Sequence, residues 1–372
     1  MQGDPFVLGI VGAEEGRKKM IAEPVREFIF LNDRPFRSCH ASTVLKLSNG
    51  DILVAWFGGS KEGAEDVAIW YTRRTEDGWD YPKKLSHEAG LPHWNPVLFM
   101  GENGQIILYY KVGHRISQWY TCFMTSEDGY FWSSPRPLVE GDWGGRGPVR
   151  NKVIKLKDGT WLAPASIEGK SWDAFVDISR DQGKTWIKSA MVPIVHQEPE
   201  RRGKEAGPDP ASSLDSQYVF HGKGVIQPTL WESDPGAVHM LLRSTEGRIF
   251  RSDSADSGKT WCPAYPTVLP NNNSGIDVVK LLDGRLILAY NPVGRNHGAR
   301  TPLILSMSRD NGITWKQVWT LEEEEGEYSY PAIIADEDEI LVTYTWKRER
   351  IVLWIIPISF LPSAGHRPNS RG

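Results

Sequence analysis

Cysteine is scarce in this chain: Cys39, Cys122 and Cys262 are the only three among 372 residues. An odd, widely spaced set builds no disulfide framework. It points to a reducing, cytoplasmic setting, with secretion behind a removed leader as the alternative. No apolar run is long enough to span a bilayer, and the first residues lack the basic-then-apolar order of a signal, so no membrane partner is expected. Neither sign of charge dominates. The 43 Lys and Arg against 47 Asp and Glu leave a net charge of −4, with the signs interspersed, which argues against a nucleic-acid-binding surface. No His/Cys cluster has metal-ligand spacing and no Gly-rich loop leads from a strand into a helix to cradle phosphate, so no cofactor is expected.

Tryptophan, by contrast, is abundant, with sixteen residues, and a repeated octapeptide accounts for several of them. Ser179-Arg180-Asp181-Gln182-Gly183-Lys184-Thr185-Trp186 recurs as Ser254 to Trp261 and Ser308 to Trp315, with Ser, Asp, Gly, Thr and Trp at the same offsets. Thr125 to Trp132 reads as a degenerate copy with Glu127 at the Asp position and Phe131 at the Thr position, and Arg74 to Trp79 as a shorter remnant. Each copy has the chemistry of a tight turn: Asp bonds nearby amides, Gly supplies a positive φ, and Thr and Trp resume a strand.

A second repeat counts the units. Turns at Asn49-Gly50, Asn103-Gly104, Asp158-Gly159, Pro235-Gly236, Asp283-Gly284 and Glu337-Asp338 each sit between apolar runs, such as Thr43 to Leu47 and Ile52 to Trp56, which is the pattern of a β-hairpin. Their steps are 54, 55, 77, 48 and 54 residues, close to the roughly fifty residues of a four-stranded propeller blade. The expected fold is therefore all-β, a six-bladed β-propeller over residues 27–361. Residues 1–26 would be an N-terminal extension and 362–372 a disordered tail. The long third step is assigned to a polar insertion from Glu198 to Ser216. The last unit lacks a fourth strand, and Glu27 to Leu31 is the candidate to close the ring.

In a propeller the inner strands line the channel and their leading residues open onto one face. Residues eight to ten positions before each turn sample that face: His40, Trp94 with Asn95, Arg150 with Asn151, Gln227, Ser274 with Gly275, and Tyr328 with Ser329. They are mostly polar where a structural strand would carry Val or Ile, as a sugar-binding pocket requires. His93 and Lys152 add polar groups at the mouths of blades two and three, which suit an anionic sugar. Lys111, Glu168 and Asn291, at the ends of second strands, are candidate subsite groups.

The repeated Ser-x-Asp-x-Gly-x-Thr-Trp is similar to the Asp-box of the sialidase (neuraminidase) superfamily, whose six-bladed fold matches this length. The resemblance implies glycosidase activity on a terminal acidic sugar whose carboxylate is held by arginines. It assigns Asp66 as acid/base, Tyr328 in Glu327-Tyr328-Ser329-Tyr330 as nucleophile, with the choice between Tyr328 and Tyr330 left open, and Arg243 and Arg300 as carboxylate ligands. Two positions depart from the family pattern. His40-Ala41-Ser42 stands where Arg-Ile-Pro is expected, with Arg37 three residues early, and Gln227 replaces the Glu that activates the tyrosine. Gln cannot accept the phenol proton. The leading expectation is a sialidase-like exo-glycosidase. The alternatives are a lyase or hydrolase of uronic-acid glycans such as rhamnosyl-glucuronate, with His40 and the tyrosine moving the proton, and a non-catalytic carbohydrate-binding propeller.

Overall fold

The computed structural model describes residues 23–363, apart from 87, 89, 143 and 198–217. The insertion expected at Glu198 to Ser216 and the tail from residue 364 lie outside the described residues. What precedes and follows the insertion is tied together by a short parallel ladder, Val195–His196 with Val219–Phe220.

Six antiparallel sheets form the blades. Blade one carries Ser38–Lys46, Ile52–Gly59 and Ala68–Thr75, with Gly78–Trp79 and Lys83–Ser86 on its outer edge. Blades two, four and five each run in sequence order, from inner strands His93–Met100, Val225–Glu232 and Asp277–Lys280 to outer strands Arg136–Pro137, Tyr265–Pro270 and Lys316–Glu322. Blade three has a short inner strand, Ile154–Lys155, followed by Trp161–Glu168, Trp172–Ser179 and Ile187–Lys188. Blade six takes Tyr328–Ala335, Glu339–Trp346 and Arg350–Pro357 from the end of the chain and its fourth strand, Val25–Phe28, from the beginning. The closing strand thus starts two residues earlier than expected, and Val25 and Arg26 belong to the propeller. Leu31 is exposed.

The core lies between blades. Leu53, Ala55, Ile69, Leu98 and Leu108 fill the space between blades one and two, and Ala289, Leu305, Ile333 and Val342 that between five and six. Burial on both faces explains why second strands such as Ile52–Gly59 read as continuous apolar runs. One carboxylate ties the channel together: Asp277 accepts hydrogen bonds from Lys152 Nζ (2.8 Å), Thr229 Oγ1 (2.6 Å) and the Ile333 amide (2.9 Å), joining blades three, four, five and six.

The octapeptides behave as turn locks. In the first, Ser179 Oγ donates to Asp181 at 2.8 Å, Asp181 accepts the Thr185 amide (2.9 Å) and hydroxyl (2.6 Å), and the Gly183 amide returns to Ser179 Oγ. Ser254 to Trp261 and Ser308 to Trp315 repeat these bonds. The degenerate copy is offset by one from its expected alignment. Ser126 and Asp128 play the Ser and Asp parts, with Asp128 accepting from the Phe131 amide at 2.9 Å, so the turn has lost a residue between Asp and Gly, and Glu127 is not its acid. These turns connect third to fourth strands, on the face opposite the start of the inner strands.

Candidate functional site

Four inner strands share one irregularity just after they enter the channel. The registers slip between His40 and Thr43, Trp94 and Val97, Ile226 and Thr229, and Ser329 and Ala332, one extra residue each time. The second residue of each slip, Ala41, Asn95, Gln227 or Tyr330, has φ between 43° and 56°. A bulge with a left-handed residue re-aims the side chain that a regular strand would have pointed elsewhere. Here it reverses the inward and outward parity at the mouth.

The tyrosine is where this matters most. Tyr328, expected in the pocket, is fully buried among Ala289, Leu303 and Tyr344 between blades five and six. Tyr330 is at the centre of the mouth. Its hydroxyl accepts from Arg243 Nη1 at 2.7 Å, its ring meets His40 at 4.1 Å between centroids, and the guanidiniums of Arg150, Arg243 and Arg300 lie 5.2, 5.7 and 5.6 Å from the ring centre. Gly275 lets the ring come close, since a Cβ there would sit 3.3 Å from the Tyr330 ring. Burial raises the Tyr330 phenol, but Arg243 and Arg300 outweigh it and hold the group below its ordinary value of 10.

The other expected residues divide into those that face Tyr330 and those that brace it. Arg243 also donates to Asn273 Oδ1 (2.8 Å) and Gln227 Oε1 (3.1 Å), and Arg300 to Glu327 (2.6 Å) and Ser329 Oγ (3.3 Å). His40 is buried with Nδ1 on Thr345 Oγ1 at 2.9 Å, and its Nε2 has no hydrogen-bond partner among the described residues. Burial, and then Arg348, Arg300, Arg150 and Arg243, keep its imidazole neutral, well below 6.5. Arg150 spends Nη2 on the Tyr330 and Pro331 carbonyls. Asn151 holds the Gln227 and Pro228 carbonyls, and Asn95 the Val149 carbonyl. Asn291 bridges the carbonyls of Pro302 and Tyr328.

Three expected residues lie elsewhere. Lys152 reaches down the channel to Asp277. His93 pairs with Ser86 at 2.8 Å and lies tilted against Tyr110, ring centroids 5.2 Å apart, in the interface of blades one and two. Asp66 is exposed, takes the Ser60 amide and hydroxyl (2.9 and 2.8 Å), and lines a separate depression with Arg34, Phe36, Arg37 and Lys84. Arg37 is therefore out of the pocket, as its early position suggests.

Two further charged residues belong in the pocket, Arg348, which the sequence reading does not place there, and Glu168, which it places only among the subsite candidates. Arg348, on the turn between the second and third strands of blade six, donates to Glu327 (2.6 Å) and Glu62 (2.7 Å) and is the charge that acts most strongly on His40. It brings a guanidinium to the side where His40 has displaced one. Glu168 closes the second strand of blade three beside Gln227 and Arg243; it was read only as a subsite candidate. Position relative to the inner-strand turns, the only guide available in sequence, does not reach a turn between outer strands such as Lys347-Arg348. Size is no guide either, since a depression of about 780 Å³, lined by Glu102, Tyr109, Trp161 and Lys184, is on the outer side of blades two and three.

The arrangement can hold an anion against a polarised phenol. Among the described residues no group of three or more His, Cys, Asp and Glu converges as it would around a metal ion, and no helix is long and apolar enough to cross a membrane.

Comparison with solved structures finds the same fold in a Hadza microbial sialidase, with a TM-score of 0.68 at 16% identity over 87% of this chain and 66% of that one. Trypanosoma rangeli sialidase in complex with the inhibitor DANA aligns with a TM-score of 0.67 at 14% identity, over 89% of this chain and 59% of that one. A protein of unknown function from Dyadobacter fermentans aligns with a TM-score of 0.67 at 17% identity, over 90% of this chain and 98% of that one. This chain thus spans 66% and 59% of the length of these two sialidases, and at these identities the likeness is one of fold. No curated protein sequence matches. The profile of the BNR repeat-like domain matches residues 50–342, and with its locked turns and six blades the chain belongs to the BNR repeat-like family.

Proposed function

We propose that the protein is an exo-acting glycosidase for a terminal acidic sugar, with Tyr330 as the residue that meets the anomeric carbon. The observation that carries this reading is the 2.7 Å bond from Arg243 to the Tyr330 hydroxyl within a surround of guanidiniums. A tyrosine nucleophile needs a base or a lowered pKa. Gln227 cannot be the base, whereas Arg243 and Arg300 favour the phenolate directly. A phenol rather than a carboxylate also spares a negatively charged substrate from repulsion, the recognised exception to the two-carboxylate scheme. The substrate carboxylate is assigned to Arg300 and Arg348, which Glu327 holds side by side. The half-buried Trp172, 5.7 Å from the Arg243 guanidinium, offers a face for the next sugar.

The test is hydrolysis of the 4-nitrophenyl glycosides of N-acetylneuraminic and glucuronic acids. Tyr330→Phe should lose at least about 10²-fold in kcat, while Tyr328→Phe keeps kcat within a few-fold, because its hydroxyl makes only a 3.4 Å contact to the Glu325 carbonyl. Equal loss in both variants would sink the assignment.

A second reading is favoured by the His40–Tyr330 contact. A neutral imidazole with a free Nε2 against an acidified phenol is a proton-transfer pair suited to eliminating across a uronate, whose α-proton the arginines would acidify. A product absorbing in the near ultraviolet would mark it.

A further inference from the structure

We propose that Glu168 is the general acid and base of this pocket, the carboxyl group that gives a proton to the leaving oxygen and later takes one from water. This rests on the glycosidase reading above. The fold places Glu168 at the upper end of the second strand of blade three, opposite Trp172, where the neighbouring blade presents Gln227. The Gln227 amide lies against the Glu168 carboxyl, its Oε1 accepts from Arg243 Nη1, and the same Nη1 donates to Tyr330. One chain of contacts thus runs from Glu168 through Gln227 and Arg243 to the phenol.

Two further observations point to a reacting partner for Glu168. Its Oε1 is buried with no hydrogen-bond partner among the described residues, a costly state for a carboxyl oxygen unless a donor arrives with the substrate. It also lines a cavity of about 70 Å³ with Lys111, Trp119, Gly145 and Ser166, room for the water that the second half of the reaction consumes. The charged and titratable groups that face it are Arg243 from blade four, Lys111 from blade two, Lys223 from the segment before blade four, and Tyr330 from blade six. Burial pushes the Glu168 carboxyl above its ordinary range, and these cations and Gln227 only partly offset it, the condition of a catalytic acid. Asp66 is exposed and accepts from Ser60, and the exposed Glu62 pairs with Arg348, so neither is a buried carboxyl like Glu168.

The steps balance with one proton shared between two groups. Tyr330, as phenolate, forms the bond to the anomeric carbon while the glycosidic C–O bond breaks; its electron pair stays on the leaving oxygen, which takes the proton of Glu168. Water then attacks the same carbon and gives a proton to the Glu168 carboxylate. The C–O bond to tyrosine breaks, and its electron pair returns to the phenolate held by Arg243.

The experiment compares Glu168→Gln with the unmodified protein on the 4-nitrophenyl and methyl glycosides of N-acetylneuraminic and glucuronic acids. In kcat/KM the variant should lose about 10²- to 10⁴-fold on the methyl glycoside and stay within about tenfold on the 4-nitrophenyl glycoside, whose leaving group needs no acid; kcat on the aryl glycoside should fall, because the second step has lost its base, and the basic limb of the pH profile should disappear. Glu168→Ala with azide should regain turnover of the aryl glycoside and yield a glycosyl azide. Equal losses on both leaving groups with an unchanged pH profile, or no loss on either, would overturn the role of Glu168 while leaving the glycosidase reading intact. No turnover of any of these glycosides by the unmodified protein would overturn both.

Discussion

His40 shows how much a single residue's surroundings decide. An exposed histidine there would titrate near 6.5, but this one is buried and faces the charges of Arg348, Arg300, Arg150 and Arg243, so the folded state keeps it neutral. Its folded pKa is depressed, so the stability linked to it is complete above about pH 6.5 and is lost as pH falls, because the unfolded chain then binds a proton that the native protein refuses. One such proton contributes up to about 1.4 kcal/mol per pH unit. Denaturant unfolding at pH 7, 6 and 5 should therefore show a steeper decline for the unmodified protein than for His40→Asn, which retains a side-chain amide near Thr345. Parallel declines would mean that His40 is already protonated in the fold.

At the scale of the element, two devices divide the work on opposite faces. The locked turns hold third and fourth strands together with side chain to backbone bonds, and the inner-strand bulges turn Gln227 and Tyr330 toward the substrate. Asp181 engages the Ser179 and Thr185 hydroxyls and the Thr185 amide, bonds that hold its carboxyl at about 2. Asp181→Ala is expected to lower stability by about 1 kcal/mol, measured by thermal unfolding, and to leave KM and kcat unchanged. A change in KM at unaltered Tm would put the turn on the wrong face. The bulges explain the displaced tyrosine: with regular alternation Tyr328 and Tyr330 would share a face, and only the register slip between Ser329 and Ala332 separates the buried one from the one in the pocket.

For the molecule as a whole, closure is the decisive contact. Val25–Phe28 covers the outer edge of Arg350–Pro357 through four paired residues, Phe28 packs edge-on against Trp346 at 5.3 Å, and Arg26 pairs with Glu322 of blade five. Removing residues 25–28 would uncover a long strand edge in the blade that carries Tyr330. The truncated chain should unfold at a Tm lower by several degrees or more and self-associate in size-exclusion chromatography. A monomer with an unaltered Tm would show that blade six holds without closure.

The architecture was legible in the sequence because repetition is a linear signal. Six Gly- or Asp-containing turns at near-constant spacing and three perfect octapeptides fix the number of blades and the strand-turn-strand order of each, since the chemistry of a tight turn is local. Arg243, Arg300, His40 and Gln227 could be placed for the same reason, each at a fixed distance from a counted turn. What the tertiary structure alone decided was which way side chains point and which blades lend charges to one another. A bulge moves a tyrosine by inserting a residue that the sequence does not mark. Asp66, Lys152 and His93 were drawn off by partners distant in the chain or on adjoining elements. Arg348 reached the pocket from a turn that no spacing rule singles out, and Glu168, legible only as a strand-end candidate, met Gln227 and Arg243 there, because a propeller assembles its site from blades that meet only when the ring has closed.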